Sequence, residues 1–89
     1  MARTMHRTHW IEESCLITDR PAEVFGILAY RFEQDGKIVL RDGGPKGNAL
    51  VEYAFPKGDS DTQGYRVKFP NGIYVELHNA RVSVDYAHL

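Results

Sequence analysis

The segment from Val67 to Leu77 constrains the fold most, because two runs of alternating apolar and polar residues meet there at Pro70-Asn71-Gly72. Alternation with a period of two is typical of β-strands, since successive side chains point to opposite faces of a sheet. Proline presets φ at the first turn position, and glycine accepts a positive φ without a clash. The pattern therefore predicts a β-hairpin closed by a three-residue loop.

The register of this hairpin decides which residues share a face. With a three-residue loop, the apolar residues gather on one face, and their pairs are Phe69 with Ile73, Val67 with Val75, and Tyr65 with Leu77. A two-residue Asn-Gly loop would instead pair Phe69 with Tyr74 and mix apolar and polar residues on both faces. We therefore prefer the three-residue loop and expect the apolar face to contact the core.

The opposite face of the hairpin is the best candidate for a binding surface. It combines cations with an aromatic ring, and its residues are Arg66, Lys68, Tyr74, Glu76 and His78. Such a mixture suits an acidic protein partner, and it also suits single-stranded nucleic acid, whose bases stack on rings and whose phosphates attract cations. The alternative is a solvated sheet face with one cation–π contact and one salt bridge.

A second hairpin is predicted at residues 34–36, Gln-Asp-Gly, where the same turn chemistry recurs. Its register would place Phe32 opposite Ile38 and Tyr30 opposite Leu40, with the apolar residues again on one face. The two hairpins independently favour an antiparallel sheet.

Residues 20–27 allow two interpretations. Asp19 and Pro21 suit the cap and first position of a helix, which predicts one or two helical turns over 21–25. Gly26 would cost a longer helix about 1 kcal/mol. From Ile27 onward, alternation favours a strand.

Further strands are predicted over His9–Ile17, Ala49–Phe55 and Arg81–Tyr86, and loops over residues 42–48 and 56–64. We expect residues 1–8 to form a flexible basic arm and residues 9–89 a single domain. About six short strands predict a mainly β (β-rich α+β) fold. It would be a small antiparallel sheet or a rolled barrel, with at most one short helix near residues 20–27.

Composition narrows the class of partner and the compartment. The formal net charge is −1, so nucleic acid is open as a partner but is not favoured. The one cysteine, Cys15, cannot form an internal disulfide, which favours a reducing, cytoplasmic setting. No apolar run is long enough to span a membrane, so we expect no membrane partner.

The residues that could carry chemistry do not form a recognisable constellation. Cys15 lies between apolar neighbours, where cysteine behaves as a small hydrophobe. His6 and His9 are three residues apart, but nothing around them indicates the helix that would bring them together. We therefore predict no catalytic residues, no metal site and no cofactor.

These observations predict a non-enzymatic small binding module that acts through protein–protein contact, as a regulator or an inhibitor. Exposed strand edges are also compatible with a homo-oligomer, such as a homodimer formed by strand addition. One alternative is a small β-barrel that binds single-stranded nucleic acid. Another is a small enzyme or metal protein that uses Cys15 and histidine.

Overall fold

The computed structural model describes residues 4–31, 35–55 and 60–89, which form strands and no helix. The strands are β1 (His6–Arg7), β2 (Cys15–Thr18), β3 (Ala22–Arg31), β4 (Gly36–Asp42), β5 (Ala49–Phe55), β6 (Ser60–Phe69), β7 (Ile73–His78) and β8 (Ala80–His88). The predicted mainly β, antiparallel fold is confirmed, with eight strands in the described residues where about six were expected. These residues include no helix that could span a membrane.

The strands form two four-stranded antiparallel sheets. The first sheet has the order β1-β8-β3-β6, and the second sheet has the order β2-β7-β4-β5. The pairs β1–β8, β2–β7, β3–β6 and β4–β5 are nested, as in one long hairpin that closes between β4 and β5. The pairs β3–β8 and β4–β7 then join this ribbon into two sheets. This connectivity is that of a jelly roll.

The hydrophobic core lies between the two sheets, and each sheet contributes one apolar face to it. The buried side chains are Ala22, Val24, Ile27, Ala29, Phe69, Ala80, Val82 and Val84 from the first sheet, Ile38, Leu40, Val51, Ile73 and Val75 from the second, and Ile11 beside β8. Burial of this apolar surface is the main stabilising term available to the fold, since its single cysteine is free.

The structure corrects the hairpin predicted at residues 70–72. Phe69 ends β6 in the first sheet and Ile73 begins β7 in the second, so the connection crosses between sheets and these strands do not pair. The predicted apolar residues nevertheless point inward: Phe69, Ile73 and Val75 are fully buried, and Val67 and Leu77 pack against the core. The side chain of Tyr65 lies outside the described part.

The hairpin predicted at residues 34–36 is also absent, because β3 and β4 lie in different sheets. Ile38 pairs with Tyr53 and Leu77, and Leu40 pairs with Val51 and Val75. Phe32, Glu33 and Gln34 lie outside the described residues. The true hairpin joins β4 to β5 through residues 43–48, within the loop predicted over 42–48.

Residues 22–31 form a central strand, so the helical turns predicted over 21–25 do not form. The register of β3 shifts between Val24 and Gly26 against both neighbouring strands, which marks a β-bulge at Phe25. Tertiary pairing on both sides therefore overrides the local helix-start signal of Asp19 and Pro21.

Two further boundaries differ from expectation. His6–Arg7, within the arm predicted over residues 1–8, pairs with β8 as β1, while residues 1–3 lie outside the described part. Residues 60–64, predicted as loop, belong to β6, and residues 56–59 are not described. The strand predicted over 9–17 is reduced to a bridge at Ile11 and to β2.

Candidate binding site on the outer face of the first sheet

The residues predicted to form one binding surface lie on two opposite sides of the molecule. Arg66 and Lys68 are exposed on β6 in the first sheet, whereas Tyr74, Glu76 and His78 belong to β7 in the second. The prediction of a single shared face is wrong, because β6 and β7 do not pair. Whether either group binds a partner stays a prediction.

The group on β7 is engaged in an internal network. Arg41 Nε donates to Glu76 Oε1 at 3.0 Å, and Arg41 Nη1 donates to the carbonyl oxygen of Gly47 at 3.1 Å. His78 Nε2 lies 2.7 Å from Glu76 Oε2. The hydrogen bond with His78, followed by that with Arg41, lowers the pKa of Glu76. Both carboxylate oxygens are therefore occupied, and the network ties β7 to β4 and to the loop after it.

The outer face of the first sheet carries a groove. Arg7 pairs with Asp85, Asp85 lies opposite Gly26, and Gly26 lies opposite Gly64, so these four residues form a row across β1, β8, β3 and β6. The two glycines have no side chains to cover the sheet. The resulting depression, which we call the glycine groove, has a volume of about 290 Å³.

The glycine groove has apolar walls and a charged end. Phe25, at the bulge of β3, and the exposed side chain of Leu28 line it. At the β1 end, Arg7 Nε donates to Asp85 Oδ1 at 2.7 Å and Arg7 Nη2 donates to Asp85 Oδ2 at 3.3 Å. A bidentate pair of this kind closes that end with a defined geometry.

Among the described side chains around the groove, the cations are more exposed than the carboxylates. The guanidinium carbon of Arg66 lies 5.4 Å from the centroid of the Phe25 ring, within cation–π range. The Arg66 side chain is 73% exposed, whereas its acidic neighbour Glu23, 3.6 Å away, is only 5% exposed. At these described positions, a partner would therefore contact guanidinium and ammonium groups before carboxylates.

Sequence reasoning identified Arg66 and Lys68 but missed the groove beside them. A lone glycine inside a strand pattern is a known signal for a close approach by another group. Gly64 carries that signal, but it falls at the end of the loop predicted over 56–64. The opposing Gly26 falls just after the helical turns predicted over 21–25, where a strand is not expected to begin until Ile27.

Cys15 and the histidines lie elsewhere. Cys15 is exposed on β2 rather than packed as a small hydrophobe. Desolvation of its thiol, and then the charge of Glu13, raise the pKa of Cys15, which lowers its thiolate fraction. The ring centroid of His6 lies 5.2 Å from that of Tyr86 and 5.4 Å from that of His88. The described residues contain no group of three or more metal-ligating side chains that could hold a metal ion.

His88 is also held from the second sheet. Its Nε2 lies 3.0 Å from Thr18 Oγ1, and partial burial lowers its pKa, with smaller contributions from the charges of Arg20 and His6. This contact links β8 to β2 at one end of the sandwich, so His88 has a structural role there.

Comparison with known proteins identifies the fold but no family. No protein-family model and no characterised protein matches the sequence. Among solved structures, the chain is similar to a Bacillus endospore appendage protein, described as one of a family of disulfide-linked pili, with a TM-score of 0.50 and 11% identity over 100% of this chain and 92% of that one. It is also similar to the Tobacco streak virus coat protein dimer, with a TM-score of 0.44 and 8% identity over 94% and 84% of the chains. At 11% identity, the likeness to the Bacillus protein indicates a shared architecture alone.

Proposed function

We propose that this chain is a non-enzymatic module that binds other proteins, with further copies of itself among its partners. The open edge of β5 (Ala49–Phe55) carries the proposal. β5 is the last strand of the second sheet and pairs with β4 on one side. The backbone N–H and C=O groups of an edge strand form a template to which another strand can add.

The composition of β5 suits strand addition. Proteins usually protect edge strands with lysine, proline or bulges. β5 has neither lysine nor proline and carries one charge, Glu52, and its one irregularity is a shift of register against β4 at Leu50. Its outward side chains include Leu50, which is exposed. The edge strand of the first sheet, β6, differs because it carries Arg66 and Lys68. Two β5 edges from two copies could pair around a two-fold axis, with each residue contacting its symmetry counterpart.

The fold comparison supports assembly as a role for this architecture. The Bacillus protein that shares the fold is described as forming pili. This supports the proposal for the present chain through architecture rather than through any common residue, and the cytoplasmic location stays a prediction.

Measurement of the molar mass in solution by light scattering, over a range of protein concentrations, tests the proposal. We expect the wild type to associate as the concentration rises and Leu50→Lys to remain monomeric, because an edge lysine opposes pairing. The matched control is Leu16→Lys, which places the same charge at an exposed leucine on β2, the opposite edge of the same sheet. Association that is lost equally in both variants, or a wild type that stays monomeric throughout, would contradict self-association through β5.

A further inference from the structure

We propose that the glycine groove binds an aromatic side chain presented by an acidic segment of a partner protein. The inference rests on the proposed protein-binding function, for which it names a chemical class of partner. It uses the first sheet rather than the β5 edge of the second, so the two surfaces can be tested separately.

Within the described residues, nothing requires glycine at position 64. The φ angle of Gly64 lies outside the left-handed region, and a Cβ atom built there would meet no heavy atom of the described residues within 4 Å. Glycine inside a strand weakens it and often marks a place where a ligand or another chain approaches closely. The open space over Gly64 is therefore available to an outside group, and an aromatic ring is the usual cover for an edge glycine.

The size and lining of the groove favour a single ring. Its volume of about 290 Å³ lies just below the range for ligand pockets, about 300–1,000 Å³, so it suits a small group rather than a whole ligand. The ring of Phe25 and the exposed side chain of Leu28 offer apolar contacts to a ring that lies on the backbone of Gly26 and Gly64. Aromatic pairs prefer offset or edge-to-face packing, which this open depression allows.

The charges around the groove favour acidic residues beside that ring. Arg7 and Arg66 are 76% and 73% exposed, and Lys68 is exposed on the same face. Asp85 is occupied by Arg7, and Glu23 is buried. Carboxylates of a partner segment would complement these cations. The formal net charge of −1 makes a protein segment a better fit than single-stranded nucleic acid, although bases also stack on rings.

The experiment titrates an unlabelled synthetic peptide, a tyrosine flanked on each side by two glutamates, into the isotope-labelled full chain and follows backbone amide shifts by NMR. We expect saturable shifts centred on Gly26, Leu28 and Gly64. A peptide with alanine in place of tyrosine should bind about tenfold more weakly or worse. Equal binding of the two peptides would overturn the proposal.

Variants of the protein locate the site. Gly64→Val fills the groove with a residue that suits a strand, so we expect an intact fold by circular dichroism and loss of peptide binding. Arg66→Glu should weaken binding about tenfold. The matched charge reversal Lys37→Glu, at an exposed lysine of the second sheet, should leave it unchanged.

Three outcomes test the groove separately from self-association, as the site, and for its occupant. Leu50→Lys should retain peptide binding, so monomer formation and loss of the groove are distinguishable. Wild-type affinity in Gly64→Val overturns the groove as the site. Tighter binding of single-stranded oligothymidine than of the peptide, when abolished by Gly64→Val, overturns a protein segment as the occupant.

Discussion

Asn71 binds Asp42 through two hydrogen bonds, one from its backbone N to Oδ1 at 2.9 Å and one from its side-chain Nδ2 to Oδ2 at 2.8 Å. Asp42 is the last residue of β4, and Asn71 lies in the connection from β6 to β7. The amide of Gly43 also donates to the carbonyl oxygen of Gly72 at 3.0 Å. The connection that crosses between the two sheets is therefore held to the end of a strand in the second sheet.

Replacing Asp42 with alanine removes both of these bonds and leaves the backbone N–H of Asn71 without its acceptor. Hydrogen bonds to charged groups contribute about 1.5–3 kcal/mol when buried, and we expect a loss of about 1–2 kcal/mol at this exposed site. Urea unfolding measures the difference. Asp19→Ala, at another exposed aspartate, is the control and should change stability by less than about 0.5 kcal/mol. Equal stability of the two variants would show that the pair contributes nothing.

Gly72 is required by its backbone and by its surroundings. Its φ is 108°, in a region that side chains rarely adopt, and a Cβ atom there would overlap the carbonyl oxygen of Thr18. We expect Gly72→Val to destabilise the fold by about 2 kcal/mol or more, because strain and the clash act together. Gly64→Val is the matched control, since it should cost nothing. Comparable urea midpoints for the two variants would contradict this account.

The lowered pKa of Glu76 makes stability depend on pH. A carboxyl whose folded-state pKa lies below its unfolded value stabilises the fold above the unfolded value, about 4.3, and loses that contribution as the pH falls through the folded one. We expect wild type and Glu76→Gln to differ above the unfolded pKa and to converge as the pH falls through the lowered folded pKa of Glu76. Chemical unfolding at a series of pH values measures this convergence. A constant difference down to acidic pH would mean that the network with Arg41 and His78 contributes through packing alone.

Alternation along the chain correctly predicted the inward direction of several side chains, although Val39, which it would turn outward, is fully buried, and Leu28, which it would turn inward, is exposed. Ile38, Leu40, Phe69, Ile73 and Val75 are all buried as the period of two indicates. It could not give the neighbours of each strand, because an inward face looks the same in a hairpin and in a two-sheet sandwich. Three residues between Phe69 and Ile73 can close a hairpin, and here they cross from one sheet to the other.

The candidate site was harder to predict because its main feature is a pair of glycines, which leave the surface of the sheet uncovered. Gly26 and Gly64 are far apart in sequence and meet only when β3 pairs with β6. The bulge at Phe25 sets that register, and no local sequence pattern predicts a bulge there. Arg66 was identified because its charge stands out in the sequence, whereas its cation–π partner Phe25 could not be assigned without the fold.

The position of β8 has a consequence for folding during synthesis. β8 (Ala80–His88) lies between β1 and β3. β1, which is synthesised first, therefore has no neighbour in its sheet until β8, which is synthesised last, has been made. A chain emerging from the ribosome can close the β4–β5 hairpin early, but it cannot complete this sheet until residue 88 is free. Partners that are distant along the chain also slow folding, since long loops must close first. We therefore expect this jelly roll to assemble after synthesis of its domain, in one late and cooperative step.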